Sequence, residues 1–267
     1  MDVSELTQLL RHDPAIQSAT ESNGYITVAL TREALAQVAI DVAQAGSRCV
    51  TSDLLRGTVV QPAPRADLTT SSNWTQARAA VAAELIVGLA LAAGAEVLPD
   101  AVPAPAGPLA PAAAGASKQV AAAVAFAGED AVRFWLARGG PEPDLKAMAR
   151  HVLDNPAYAV RYAHAAAAAV LRWAGHPPGD FRPALLAEPA QRVLLDALSW
   201  LPERVAVAAR RGRPDVFARY LETLASRTID TMSTTGPTSE MLWLALAART
   251  ALAAGLDLLG IAAPERV

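Results

Sequence analysis

From residue 120 to the last residue the chain reads as almost nothing but helix. Apolar residues recur at helical spacing over 121–138, 144–155, 156–173, 189–210, 214–232 and 239–259. Pro156, Pro189 and Pro214 stand at starts, while Gly175, Gly212 and Gly260 stand at stops. Short connections between such segments favour antiparallel neighbours, so this half is expected to be a helical bundle.

The first 120 residues are different. Residues 1–60 combine an opening helix, SELTQLLRH, a strand-like run, GYITVAL at 24–30, and a helix over 32–44 ended by Gly46. In the run, Tyr25, Thr27 and Ala29 alternate with Ile26, Val28 and Leu30, the period of a half-buried strand. This region reads as a small α+β domain. Residues 61–119 follow as a loop, QPAPRADLTTSSNW, a helix over 77–93, and a proline- and alanine-rich connector, DAVPAPAGPLAPAAAGASKQ. Proline removes donors and blocks helix, so the connector is expected to be extended or mobile. Three regions result: 1–60, 61–119 and 120–267.

Charge is uneven along the chain. The net charge is −3, but residues 1–144 carry −6 and residues 145–267 carry +3. The basic surplus is compatible with RNA binding by the C-terminal half, and equally with arginines that only solubilise a helical domain. The N-terminus, MDVSELTQLLRH, has acids early and no basic segment leading into an apolar one, so a cytoplasmic protein without a secretory signal is expected. The apolar stretch 79–98 contains Glu84 and Glu96 and reads as a buried helix, so no membrane association is expected. Cys49 stands alone and reads as a small buried hydrophobe.

Several chemistries find no support. His12, His151, His164 and His176 form no pair at metal-ligand spacing, and no cysteine set accompanies them, so no metal is expected. There is no glycine-rich phosphate loop and no Gly-x-Ser-x-Gly elbow.

Four stretches of the helical half carry a family resemblance. DNPAYAVRYAHA at 154–165 matches an Asn-Pro-x-x-x-x-x-Tyr-Ala-His-Ala pattern. GEDAVRFWLARG at 128–139 matches Gly-x-Asp-Ala-x-Arg-aromatic-x-Leu, and the terminal GLDLLGIAAPERV matches a Gly-Leu-x-Leu-Leu-Gly-Ile-x-Ala-Pro-Glu-Arg-hydrophobic ending. Between them, residues 194–227 contain Leu-Pro-Glu-x-Val and Tyr-Leu-x-x-Leu-Ala. In order and spacing these resemble the class I arginyl-tRNA synthetases, whose all-helical anticodon-binding domain is the implied fold of 120–267. SNGYITVALTREALAQVAIDVAQAG at 22–46 resembles the strand and helix of the family's additional N-terminal domain, with Thr27 where the family has an asparagine.

The catalytic region departs from the family. WTQARAAVAAELIVGLALAAGAEV resembles the first helix of the synthetase nucleotide-binding fold, but the positions of its His-x-Gly-His signature read Asn73, Trp74, Thr75 and Gln76. Only Gly115-Ala116-Ser117-Lys118-Gln119 stands where Lys-Met-Ser-Lys-Ser belongs. The span from Leu98 to Gln119 is too short for further strand–helix units of ~30 residues each. The expected fold is therefore mainly α: the bundle, a small α+β N-terminal domain and a remnant of the nucleotide-binding region. No catalytic residue, no cofactor and no aminoacylating activity are expected.

The resemblance implies a non-catalytic tRNA-binding protein, directed to arginine tRNA. The candidate RNA-binding residues are Tyr158, Arg161, Tyr162, His164, Arg210, Arg211, Arg213, Arg249, Arg266 and Val267. Each has a plainer reading. Tyr158 and Tyr162, four apart, stack on a base or pack in the domain. His164 bonds between helices. Arg210, Arg211 and Arg213 complement a helix end without any ligand. Ala166 replaces a family arginine. The alternative function is a protein-interaction or regulatory module that has lost RNA binding and packs against a partner such as a full-length synthetase.

Overall fold

The computed structural model of the protein describes residues 2–71, 73–98, 117–140, 144–186, 188–233, 236 and 238–267. Most of the connector lies outside the described residues.

The chain opens with α1 (Val3–Arg11), followed by β1 (Ile16–Ser22) and β2 (Tyr25–Leu30), an antiparallel pair. The turn between the strands is Asn23-Gly24, with φ of 52° and 77°. Two successive positive φ values suit the right-handed twist of a tight hairpin, and Asn-Gly adopts them most readily. Arg11 Nε donates to the Ala19 carbonyl at 2.9 Å and ties α1 to the hairpin. The expected half-buried strand is more open than its pattern implies: Ile26 and Leu30 are half-buried, but Val28 is exposed and Tyr25 is 78% exposed. α1 covers only part of a two-stranded ladder, so most positions on both faces remain wet.

Thr31 caps α2 (Arg32–Ala45), its Oγ1 accepting from the Ala34 N–H. A 3-10 turn, Gly46–Val50, follows and buries Cys49, whose thiol is pushed up to about 11 by desolvation. Next come β3 (Val59–Val60), α3 (Trp74–Ala92) and β4 (Glu96–Val97), with β3 and β4 parallel. This is one strand–helix–strand unit, the least from which a parallel pair can be made.

The remainder is helical: α4 (Ser117–Ala127), α5 (Glu129–Arg138), α6 (Leu145–Ala149), α7 (Pro156–Ala174), α8 (Pro189–Ser199), α9 (Leu201–Arg210), α10 (Pro214–Met232) and α11 (Ser239–Leu258). Three segments expected to be single helices differ. The run 121–138 is broken at Gly128, whose φ of 87° is outside the helical region. The run 189–210 bends at Trp200, because Pro202 lacks the N–H that would continue α8. The run 144–155 gives only α6, capped by Asp144, since the Asn155 side chain donates to the carbonyls of Met148 and Arg150 and holds the chain out of helix.

One apolar core runs from Ala36 on α2 to Ile261. α11 is its axis, with Leu244, Ala248, Ala251 and Leu252 fully buried and with α7, α10 and α2 packed around it. Gly255 sets the α10–α11 approach, since a Cβ there would lie 2.5 Å from Leu221 Cδ2. α3 and α11 are each long and apolar enough to cross a membrane, but both lend fully buried residues to this core, Val81 and Leu89 from α3 among them.

Candidate nucleic-acid interface

The start of α7 is built by two residues. Pro156 occupies its first turn, where a missing N–H costs nothing, and buried Asn155 straps the preceding loop to it at 2.8 and 2.7 Å. That geometry aligns three rings. His151 stacks on Tyr158 with centroids 5.3 Å apart, and Tyr158 on Tyr162 at 5.9 Å. Tyr162 is 37% exposed and His151 is exposed, so the column reaches solvent at both ends. Residue types alone did not bring His151 into this set.

Further along α7 the C-terminal segment lies against it. His164 is buried, and its Nδ1 is 2.9 Å from the Pro264 carbonyl. A carbonyl only accepts, so Nδ1 carries the proton; burial lowers the ring's pKa below 6.5 and favours the neutral form. Arg172 Nη1 donates to the Glu265 carbonyl at 2.9 Å, and Arg249 Nη2 from α11 donates to Glu265 Oε1 at 2.6 Å. Arg172 was not among the expected residues, because only the fold brings it to position 265. These pairs are solvent-exposed, so each contributes at most ~1 kcal/mol. Beside them a groove of about 480 Å³ opens, lined by Ser47, His164, Arg249, Thr250, Asp257 and Glu265. Arg266 and Val267 are exposed beyond it. Arg161 pairs loosely with Asp130 at 3.7 Å, and Asp130 also accepts from the Ala262 N–H at 3.4 Å.

Arg161, His164 and Arg249 thus gather around the segment 262–267, which carries Arg266 and Val267, while Tyr158 and Tyr162 stand nearer the start of α7. Arg210, Arg211 and Arg213 do not join them. They lie at the α9–α10 turn, by the end of α5 opposite Asp130, about 13 Å along that helix. Arg210 and Arg211 are exposed and make no ion pair among the described residues, whereas Arg213 grips Asp215 at 2.7 and 2.8 Å. That contact raises the arginine's pKa and lowers the aspartate's.

A second structural centre was not anticipated. Arg133 is fully buried, and its Nη2 is 2.6 Å from Glu84 Oε1 on α3. It also donates to the carbonyls of Leu259 and Ala66 at 3.4 Å, while Glu84 Oε2 accepts from the Ala66 N–H. One guanidinium so joins α3, α5, the 61–73 loop and the end of α11. At the start of α3, Asn73 Oδ1 caps the helix through the Gln76 N–H at 2.9 Å, Trp74 packs on the core and Thr75 is exposed. Among the described residues, no three His, Cys, Asp or Glu are grouped to hold a metal ion.

Residues 160–267 match the DALR anticodon binding domain. The arginine–tRNA ligase of Clavibacter sepedonicus is 37% identical over 158 residues, covering 52% of this chain and 28% of the relative. That of Kineococcus radiotolerans is 38% identical over 159 residues, covering 52% and 29%. The chain thus spans under a third of the length of these curated relatives. An arginyl-tRNA synthetase structure from Campylobacter jejuni shares the fold with a TM-score of 0.51 at 16% identity, over 98% of this chain and 62% of that one. Over about half its length this chain is therefore similar to arginyl-tRNA synthetases, and its residues 160–267 match the DALR anticodon binding domain.

Proposed function

We propose that this is a non-catalytic, cytoplasmic protein that binds tRNA, and arginine tRNA in particular, through its anticodon-binding domain. The observation that carries the reading is the partly exposed Tyr158–Tyr162 stack on α7, the helix to which His164 also fixes the segment 262–267, at the start of the matched residues 160–267. Rings of this kind stack on unpaired bases, and nearby arginines take up phosphates. Tyr162 is the base-stacking residue in this account. His164 and Arg249 hold the C-terminal segment in place, and Arg266 and Val267 border the bound loop. Arg210 and Arg211 add phosphate contacts away from these residues.

The absence of aminoacylation belongs to the same proposal. Asn73, Trp74, Thr75 and Gln76 occupy the positions of the adenylating signature, and Asn73 is spent on capping α3. The described sheet there is a single parallel pair, and only 19 residues separate β4 from α4. The division into regions 1–60, 61–119 and 120–267 is likewise proposed, with α2 lending its apolar face to the bundle's core.

One observation favours the alternative, a protein-interaction module. Arg161, Arg172 and Arg249 are each paired with an acid around the segment 262–267, which blunts the positive field there, and Trp173 at the end of α7 is 83% exposed. Titration of the whole protein with arginine tRNA at low salt separates the two, since only the first reading requires saturable binding.

A further inference from the structure

Three arginines from two helices meet in a second groove, beside the α9–α10 turn. Arg78 comes from the first half of α3, Arg213 from the N-cap of α10 and Arg219 from its second turn. With Gly139, Gly212 and Asp215 they line a space of about 340 Å³. Asp215 is the one acid in that lining. It is engaged with Arg213 at 2.7 and 2.8 Å and stands 4.0 Å from Arg219 Nε. Arg219 also donates to the Gly139 carbonyl at 3.4 Å. Arg78 has no ion pair among the described residues, and its Nε is buried without a hydrogen-bond partner.

A buried N–H without an acceptor costs free energy that a ligand oxygen recovers. One carboxylate among three guanidiniums leaves the groove with two positive charges in excess, and the N-terminal end of α10 adds to that potential. We propose that this groove is a binding site for a phosphate group. The Arg78 and Arg219 guanidiniums donate to its oxygens, and Asp215 fixes Arg213 at the rim. Planar guanidinium donors suit a phosphate better than a single ammonium does. The phosphate is either the terminal group of a small molecule or a backbone phosphate of RNA. The site is separate from the Tyr162 face and does not rest on the tRNA reading.

The test is calorimetric titration of the whole protein with inorganic pyrophosphate at low ionic strength. One saturable site is expected. Arg78→Ala and Arg219→Ala should each weaken it by about tenfold or more, the usual effect of losing a charge-assisted hydrogen bond. Arg172→Ala, on the other face, should leave it unchanged. Thermal melts establish that each variant is folded, and Arg219→Ala serves if Arg78→Ala is not. Absence of saturable binding, or equal binding by folded Arg78→Ala and Arg219→Ala, overturns the proposal. The source follows from competition. Displacement of arginine tRNA by pyrophosphate, lost in Arg78→Ala, assigns the site to an RNA phosphate; independent binding assigns it to a free phosphate compound. If no tRNA binds, the reading of the Tyr162 face fails, while the groove still stands or falls by the pyrophosphate titration.

Discussion

Nδ1 of buried His164 donates to the carbonyl of Pro264, one hundred residues further along the chain, at 2.9 Å. This bond and the Arg172 contact fix the segment 262–267 to α7, while Arg249 holds Glu265 from α11. Replacing His164 with Ala leaves the carbonyl unpaired and opens a cavity, so a loss of ~1–3 kcal/mol is expected in denaturant unfolding. Amide exchange at residues 261–267 should accelerate more than in the rest of the domain.

The same histidine makes stability depend on pH. Burial lowers its pKa below the ordinary 6.5, so the unfolded chain binds the proton more readily than the folded one. Its contribution is full above about 6.5 and is lost as the pH falls from there through the lower folded value. Unfolding free energies measured from pH 8 to pH 5 should show this decline, and His164→Gln should flatten it.

Gly260 and Arg133 form a second dependent pair. Gly260 has a φ of +67°, and a Cβ there would lie 2.8 Å from Arg133 Nη2. Gly260→Ala should cost ~1–3 kcal/mol through the left-handed backbone and the close contact. Arg133→Met should cost more, ~3–5 kcal/mol, because Glu84 is then left partly buried without its partner. Chemical denaturation of both variants checks the order.

Much of the helical half was legible because its helices announce their ends. Pro156, Pro214 and Gly175 mark boundaries that the structure keeps. The hairpin was only half legible: Asn23-Gly24 is a turn signal, but β1, with its polar IQSATES sequence, has no apolar alternation to betray it. The shortening of α6 depends on Asn155, whose strap acts through two carbonyls that no periodicity reveals. The ring column was readable at Tyr158 and Tyr162, four apart on one helix, whereas His151 reaches it from a loop. Arg172 and Arg133 act across 93 and 126 residues respectively, and pairings at that distance leave no local trace.

The proposal excludes arginine activation. Purified protein should show no arginine-dependent pyrophosphate exchange above background. Asn73→His with Gln76→His should not create it, since two side chains at the start of α3 do not supply an adenylate-binding sheet. Exchange in either protein would show that the nucleotide-binding region is functional.

The central claim is tested most directly by the affinity of the whole protein for arginine tRNA, measured as a function of salt. Binding should be saturable at low salt and weaken as salt rises, because phosphate contacts release counterions. Tyr162→Ala should weaken it by ~1–3 kcal/mol, the range for one lost base stack, and deletion of residues 264–267 should weaken it as well. No saturable binding at low salt, or an affinity unchanged by both Tyr162→Ala and the deletion, would contradict the account and leave the face to a protein partner.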